Sequence, residues 1–330
     1  MNTHPTLIKL LSVLLIASVL VSCKSHEPGT WKNDKIESGT RDDFHKLNDQ
    51  VMAGLKANDH LKMDALFSQE LLQNTGKLRL IELCSNHLKD GTYELMDEYY
   101  VVNKDRSATK IQSLNEGIKN YSLGYQPENR EMYFAFFVPK DIPNKYLISV
   151  IYSKYNYGWK VSHLEVSPYT FNGKTAPELF DLAKEMYAKK YLLDALADAQ
   201  LAQSCTVPCD GWSYPDEVDI HNFGAKVLDE INKKYVFPFS VTQIPSRPLI
   251  FSVTTQQTPE GTYPAVYYRS TVKLKDVKGL QKENDNLKKV IGKIIPGIDQ
   301  NKKYVYYDVF NEFPKYSTSV DRYEMIDKLK

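Results

Sequence analysis

Hydrophobic and polar positions divide the 330-residue chain into stretches of different period. Residues 10–21 are almost purely apolar and follow a start whose one charge is Lys9. Residues 23–39 have no period and mix Pro, Gly and polar side chains, which predicts a flexible tether. From residue 40 the period is helical. Phe44, Leu47, Val51, Met52 and Leu55 share one face, behind a capping signal made by Thr40 and Asp43. Leu61, Met63, Leu66 and Phe67 predict a second helix. Leu78, Leu80, Ile81, Leu83, Cys84 and Leu88 predict a third, closed by Gly91.

After residue 92 the pattern turns to strands. Residues 93–102 are rich in Tyr and Val, and 108–123 alternate loosely around Asn115-Glu116-Gly117. Residues 131–138 are almost continuously apolar. Residues 146–155 and 159–166 flank Asn156-Tyr157-Gly158, a hairpin turn whose Gly can adopt positive φ. Neighbouring strands on short links predict an antiparallel sheet. The fold class is therefore α+β, opening with a domain of three helices plus a curved antiparallel sheet over residues 40–170.

Pro168 and Asn172-Gly173 mark a boundary, and residues 171–235 read as a helical linker region. Thr175 and Glu178 form a second capping signal, with Pro177 early in the helix. Residues 187–191, Tyr-Ala-Lys-Lys-Tyr, followed by an Ala-rich helix resemble one tetratricopeptide unit. No second copy occurs, and a solenoid needs about three to bury a core. A helical hairpin packed on its neighbours is the prediction. Beyond Pro238, Pro245 and Pro248, strands at 249–254 and 263–274, a helix carrying Val277, Leu280, Leu287, Ile291 and Ile294, and a strand at 304–310 make a small C-terminal ββαβ unit over 236–330. A last short helix is expected at 320–329.

The apolar core at 10–21 is too short for a membrane span, which needs about 20 apolar residues. Ending in Leu20-Val21-Ser22-Cys23, it resembles the lipobox of a bacterial lipoprotein signal peptide. The resemblance implies removal of residues 1–22 and lipidation of Cys23. The soluble body then lies outside the cytoplasm in the cell envelope, anchored most simply to the outer membrane. An ordinary signal peptide cut nearby, or an uncleaved short anchor, is the plainer reading of the same run.

Helices followed by a curved sheet that ends in Gly158-Trp159-Lys160-Val161 and Leu164-Glu165-Val166 resemble the nuclear transport factor 2-like (SnoaL-like, cystatin-like) superfamily. The resemblance implies a cone-shaped fold over residues 40–170 with a pocket between helices and sheet. Some members use an acid and a histidine inside that cone, and many only bind. The corresponding candidates here are Asp97 and Glu98 on the first strand, Glu116 at mid-sheet and His163 on the last strand. Strand alternation puts His163 on the face of Trp159, Val161 and Glu165. On the plainer reading His163 and Glu165 lie on a solvated face. His45, His60 and His87 fall at polar helix positions and are expected to be solvated.

Charge narrows the picture. The formal net charge is +1, and removing residues 1–22 takes away Lys9 alone, leaving 0. A neutral body gives no electrostatic case for nucleic acid or for a polybasic membrane surface. The 23 tyrosines suit strands and wet binding surfaces alike. Of the four cysteines, Cys84 reads as a small buried residue. Cys205 and Cys209 flank a turn at Pro208 and form a possible disulfide outside the cytoplasm, the alternative being two separately packed thiols. Their spacing is not that of a redox motif, and His221 alone is too few further ligands for zinc. The sequence gives no metal ligand set, phosphate loop, nucleophile elbow or metalloprotease motif, and so no cofactor. Together these features point to a lipid-anchored envelope protein that binds an unknown small molecule or protein partner without catalysis. The alternatives are an enzyme with its site in the N-terminal cone and an assembly scaffold using the helical middle.

Overall fold

A computed structural model describes residues 27–329 of the chain, apart from 90, 259 and 316–319. The leader, the lipobox and Cys23 lie outside the described residues. The fold is mixed α+β, with predominantly antiparallel sheets and eight α-helices among the described residues.

The first sheet contains β1 (Gly29–Lys32), β2 (Tyr93–Val102), β5 (Glu131–Pro139), β6 (Lys145–Tyr155) and β7 (Gly158–Thr170), all antiparallel in that spatial order. The expected tether is corrected by β1, which pairs Gly29 to Val102 and Lys32 to Tyr99. The edge of β2 supplies hydrogen bonds that a Gly-Thr-Trp-Lys stretch can use whatever its polarity, and Trp31 stacks on Tyr100 at 5.6 Å. The first helix also starts earlier than expected. In α1 (Ser38–Lys56) the N-cap is Glu37, whose carboxylate accepts from Thr40 N at 3.0 Å. Asp43 pairs with Lys46 instead.

Short helices α2 (His60–Leu66) and α3 (Gln69–Leu72) follow, capped by Asp59 and Ser68. Then comes α4 (Lys77–Lys89). Phe44, Val51 and Leu55 of α1, with Ile81 and Leu88 of α4, pack on Tyr100, Tyr133, Ala135, Val150 and Val161 of the sheet.

The opposite sheet face is buried as well. Tyr99, Val101, Met132, Phe134 and Phe136 meet α5 (Ala176–Ala188), α6 (Leu192–Ser204) and a three-stranded sheet of β3 (Thr109–Gln112), β4 (Ser122–Tyr125) and β8 (Trp212–Ser213). Burial on both faces explains the unbroken apolar run of β5, since neither side of that strand meets water. β8 is held to β4 by a close approach. Gly124 N donates to Gly211 O at 2.8 Å, and a Cβ on Gly211, whose φ is +73°, would lie 1.9 Å from Gly124 O.

The remaining apolar positions of α6 and of α7 (Glu217–Lys234) face the C-terminal unit. Leu192, Ala195, Val227 and Ile231 join Ile250, Val266, Leu280, Leu287 and Val305 in a third core. That unit is a sheet in the order β13-β12-β11-β10-β9. Its members are β9 (Phe239–Ser240), β10 (Leu249–Thr258), β11 (Gly261–Arg269), β12 (Tyr304–Phe310) and β13 (Arg322–Lys328). β11 and β12 are parallel, and α8 (Val277–Ile294) lies between them in the chain, the crossover that parallel neighbours require. The helix expected at 320–329 is corrected to the edge strand β13. Its period is two: Tyr323 and Met325 turn to the core while Arg322, Glu324, Ile326 and Lys328 are exposed.

Candidate functional site

The cleft with an uncompensated carboxylate lies at the seam between the α5–α6 hairpin and the C-terminal sheet. It measures about 450 Å³. Leu182 and Met186 of α5 and Leu193 and Leu196 of α6 line one side. Val253 and Thr255 of β10 and Tyr263 of β11 line the other. Asp194 and Asp198 are four residues apart on α6, so both project into it from one helix face.

The two carboxylates have different partners. Lys302 Nζ donates to Asp194 Oδ2 at 2.9 Å, to Gly297 O at 2.5 Å and to Gln300 O at 3.1 Å. An ammonium has three N–H bonds, so Lys302 is fully committed. Asp198 accepts no hydrogen bond among the described residues. Burial first, then the neighbouring Asp194 charge, push its carboxyl up to about 7, against smaller opposing pulls from Lys302 and Lys174. Asp194 is also raised by burial, with the Lys302 contact acting against it. The cleft thus holds two acids against one bonded cation, and the surplus charge falls on Asp198. Chemically it offers a titratable carboxylate, an aromatic ring and an aliphatic wall.

The candidates read from the sequence fall elsewhere. His163 is exposed and pairs with Glu128 at 3.2 Å. Its expected place beside Trp159 is corrected by a β-bulge at Ser162, where Val161 pairs with Tyr152 and His163 with Ile151. The extra residue reverses the alternation, so Trp159, Val161, Leu164 and Val166 face the helices while His163 and Glu165 do not.

Glu116 is also corrected. It is not at mid-sheet but precedes a 3-10 turn at Gly117–Lys119 and is exposed. Asp97 and Glu116 do come together, in a second cleft on the sheet face away from α1. Asp97 and Glu98 alternate to opposite faces as neighbours on a strand do, and the bulge at Met96 sets which face each takes.

Glu98, on the helix side, is 1% exposed and already satisfied. Oε1 accepts from Arg41 Nε at 2.5 Å and meets His45 Nε2 at 3.1 Å, and Oε2 accepts from Tyr133 OH at 2.6 Å. His45 is therefore paired rather than merely solvated, another correction. His87 stacks on Tyr146 at 4.0 Å, and His60 Nδ1 is buried without a hydrogen-bond partner. Phe44 stacked on Tyr133 at 4.0 Å, with Trp159 edge-on at 5.0 Å, fills the middle of the space between helices and sheet, and a cleft of about 490 Å³ lined by His45, Asn48, Met52, Tyr93, Leu95 and Phe137 remains beside it.

Cys205 and Cys209 are buried free thiols, so the bridge considered for them is not formed here. Cys205 Sγ points back along its own helix to Leu201 O at 3.3 Å, and burial raises its thiol to about 12. Burial raises Cys209 further, and Cys84 to about 12. Among the described residues no group of three or more His, Cys, Asp or Glu side chains is placed to hold a metal ion. No helix among them is long and apolar enough to cross a membrane.

No family model matches the chain, and neither does any curated protein or solved structure. The sequence reasoning missed Asp198 altogether. The signal for it was the composition of α6, Leu-Leu-Asp-Ala-Leu-Ala-Asp-Ala over 192–199, which is apolar on most sides. A helix of that kind is covered nearly all round, so its acids have little open solvent to turn to.

Proposed function

We propose that this protein is a non-catalytic ligand-binding module of a bacterial cell envelope. The ligand seat is the seam cleft, and the ligand presents an ammonium group to Asp198. The observation that carries this is a half-buried carboxylate with no hydrogen-bond partner, in a cleft whose one bonded lysine has no donor left. An ammonium would supply the missing charge, while Tyr263 and the leucines would cover an attached apolar body. Binding is favoured over chemistry in the N-terminal cone because Glu98, its buried carboxylate, already has its partners in place. His163, the sequence's candidate base, is exposed and paired with Glu128.

The finer fold reading belongs to the same proposal. Four helices on one face of a five-stranded antiparallel sheet support the nuclear transport factor 2-like resemblance for the N-terminal part. The anchor is the lipid on Cys23, which holds the body on the membrane, most simply the outer membrane. Two or more acyl chains suffice for that, at about 0.8 kcal/mol per buried methylene.

Calorimetric titration with n-butylamine, and with n-butanol as the neutral analogue, tests the seat. The amine binds the wild type at about pH 8, the alcohol does not, and Asp198→Asn loses the amine. Equal binding of amine and alcohol, or undiminished amine binding by Asp198→Asn, would remove the proposal.

A further inference from the structure

β13 ends the C-terminal sheet, with β12 on one side and no strand on the other among the described residues. An open sheet edge is a template for another strand, and folds commonly shorten, bulge or cover it. The other edges of this molecule do so. β1 and β3 have four residues each, and β8 and β9 have two each. β7 carries a bulge, and on its outer side Val161 O accepts from Ser68 N, at the head of α3, at 2.8 Å. β13 has seven residues in one unbroken register with β12 and contains no Pro.

Its free valences can be assigned. Leu329 N donates to Lys303 O at 2.9 Å, continuing the β12–β13 ladder by one residue. In an antiparallel ladder successive residues turn their N–H and C=O groups to opposite sides. Tyr323, Met325 and Asp327, in step with Leu329, therefore bond β12. Arg322, Glu324, Ile326 and Lys328 turn both backbone groups to the open edge. Their side chains are exposed too, and Ile326 stands 58% exposed between charges of opposite sign. Lys328 is in no ion pair among the described residues, whereas Glu324 Oε1 is held by Arg322 Nε at 2.8 Å, which leaves Oε2 open.

We infer that β13 is a docking edge for a second copy of this chain, the two β13 strands pairing antiparallel about a two-fold axis at Ile326. The charges select this register. Centring on Glu324 sets two carboxylates face to face, and centring on Met325 sets Arg322 against Lys328. Centring on Ile326 sets Glu324 of each copy against Lys328 of the other, with the two Ile326 side chains together between them. Registers centred nearer either end leave most of the strand unpaired. An edge of one charge sign would repel its own copy, but this one matches itself in reverse. Pairing joins the two five-stranded sheets into one. The contact is small, so the dimer is weak and concentration-dependent. It involves neither Asp198 nor the lipid.

Sedimentation velocity of the full chain carrying Cys23→Ala, so that no lipid contributes to association, tests the inference. That protein shows a monomer–dimer equilibrium between about 1 and 100 µM. Adding Ile326→Pro removes an N–H that β12 does not use, so the melting temperature stays close to the parent's while the dimer weakens by about tenfold or more. Lys328→Glu and Glu324→Lys each set like charges across the axis and each weaken the dimer by about tenfold. An equimolar mixture of those two variants recovers it as a heterodimer, because both cross-axis pairs are then Glu against Lys. The mixture decides the question should Ile326→Pro fold poorly. The inference is overturned if the parent stays monomeric up to about 100 µM. It is equally overturned if the dimer survives Ile326→Pro, or if mixing the two charge variants recovers nothing.

Discussion

Replacing Asp198 by Asn should make the ligand-free protein more stable, by an amount that grows as pH rises from about 4 to 7. The carboxyl is lifted from 3.8 to about 7 in the fold, chiefly by burial and by Asp194. One pKa unit is worth 1.36 kcal/mol, so ionising Asp198 in the fold costs roughly 4 kcal/mol more than in the unfolded chain. Asp198 is half-buried, and residual solvent contact trims this to roughly 2–4 kcal/mol.

The sign follows from the raised folded-state value. Between about pH 4 and pH 7 the folded state holds a proton that the unfolded chain has released. The stability this group contributes is fully present below about pH 4 and is lost as pH rises through about 7. The groups facing it are Asp194 on its own helix, Lys302 from the loop before β12 and Lys174 from the loop before α5. Removing the Asp198 charge also relieves Asp194, which acts in the same direction. At about pH 8 the Asn variant should be more stable by roughly 2–4 kcal/mol, or several degrees in melting temperature. At about pH 5 the gap should fall to roughly 1.5 kcal/mol, and it should close only below about pH 4. Urea unfolding of both proteins at the two pH values reads the effect. A gap independent of pH, or a less stable variant at pH 8, would refute the electrostatic account of the cleft.

Three further outcomes follow. Cys23→Ala should leave a protein without lipid that partitions into the aqueous phase on detergent extraction, and firm membrane retention of that variant would end the anchor proposal. Gly211→Ala should cost more than about 2 kcal/mol, since it forces a side chain into positive φ and onto Gly124 O at 1.9 Å, and a wild-type melting curve would contradict the β4–β8 contact. In the native mature protein without reductant, Cys205 and Cys209 should resist thiol labelling and then label fully on unfolding, because both are buried free thiols. Labelling that requires reduction after unfolding would show a disulfide instead.

Periodicity carried a good part of this fold. The helical stripe of Phe44, Val51 and Leu55 and the strand runs at 131–138 and 146–155 were legible because their pattern reflects one or two buried faces. β1 was not, because an edge strand can be built from polar residues when a neighbour supplies the hydrogen bonds. β13 carried its period of two in plain sight, yet its charged residues also suit a helix. The faces of β7 could not be read correctly, since the bulge at Ser162 shifts register without any mark in the residue types. The seam cleft was beyond reach for a different reason. Asp194, Asp198 and Lys302 are brought together by packing between elements about a hundred residues apart, and no local pattern records that.

The central claim concerns the state of one carboxyl group. A pH titration of the Asp198 side-chain carboxyl carbon by NMR, without and with n-butylamine, tests it directly. The account predicts a midpoint near 7 in the free protein that moves to lower pH as the amine is added, because the ammonium favours the charged carboxylate. A midpoint near 4 that the amine leaves unchanged would contradict it.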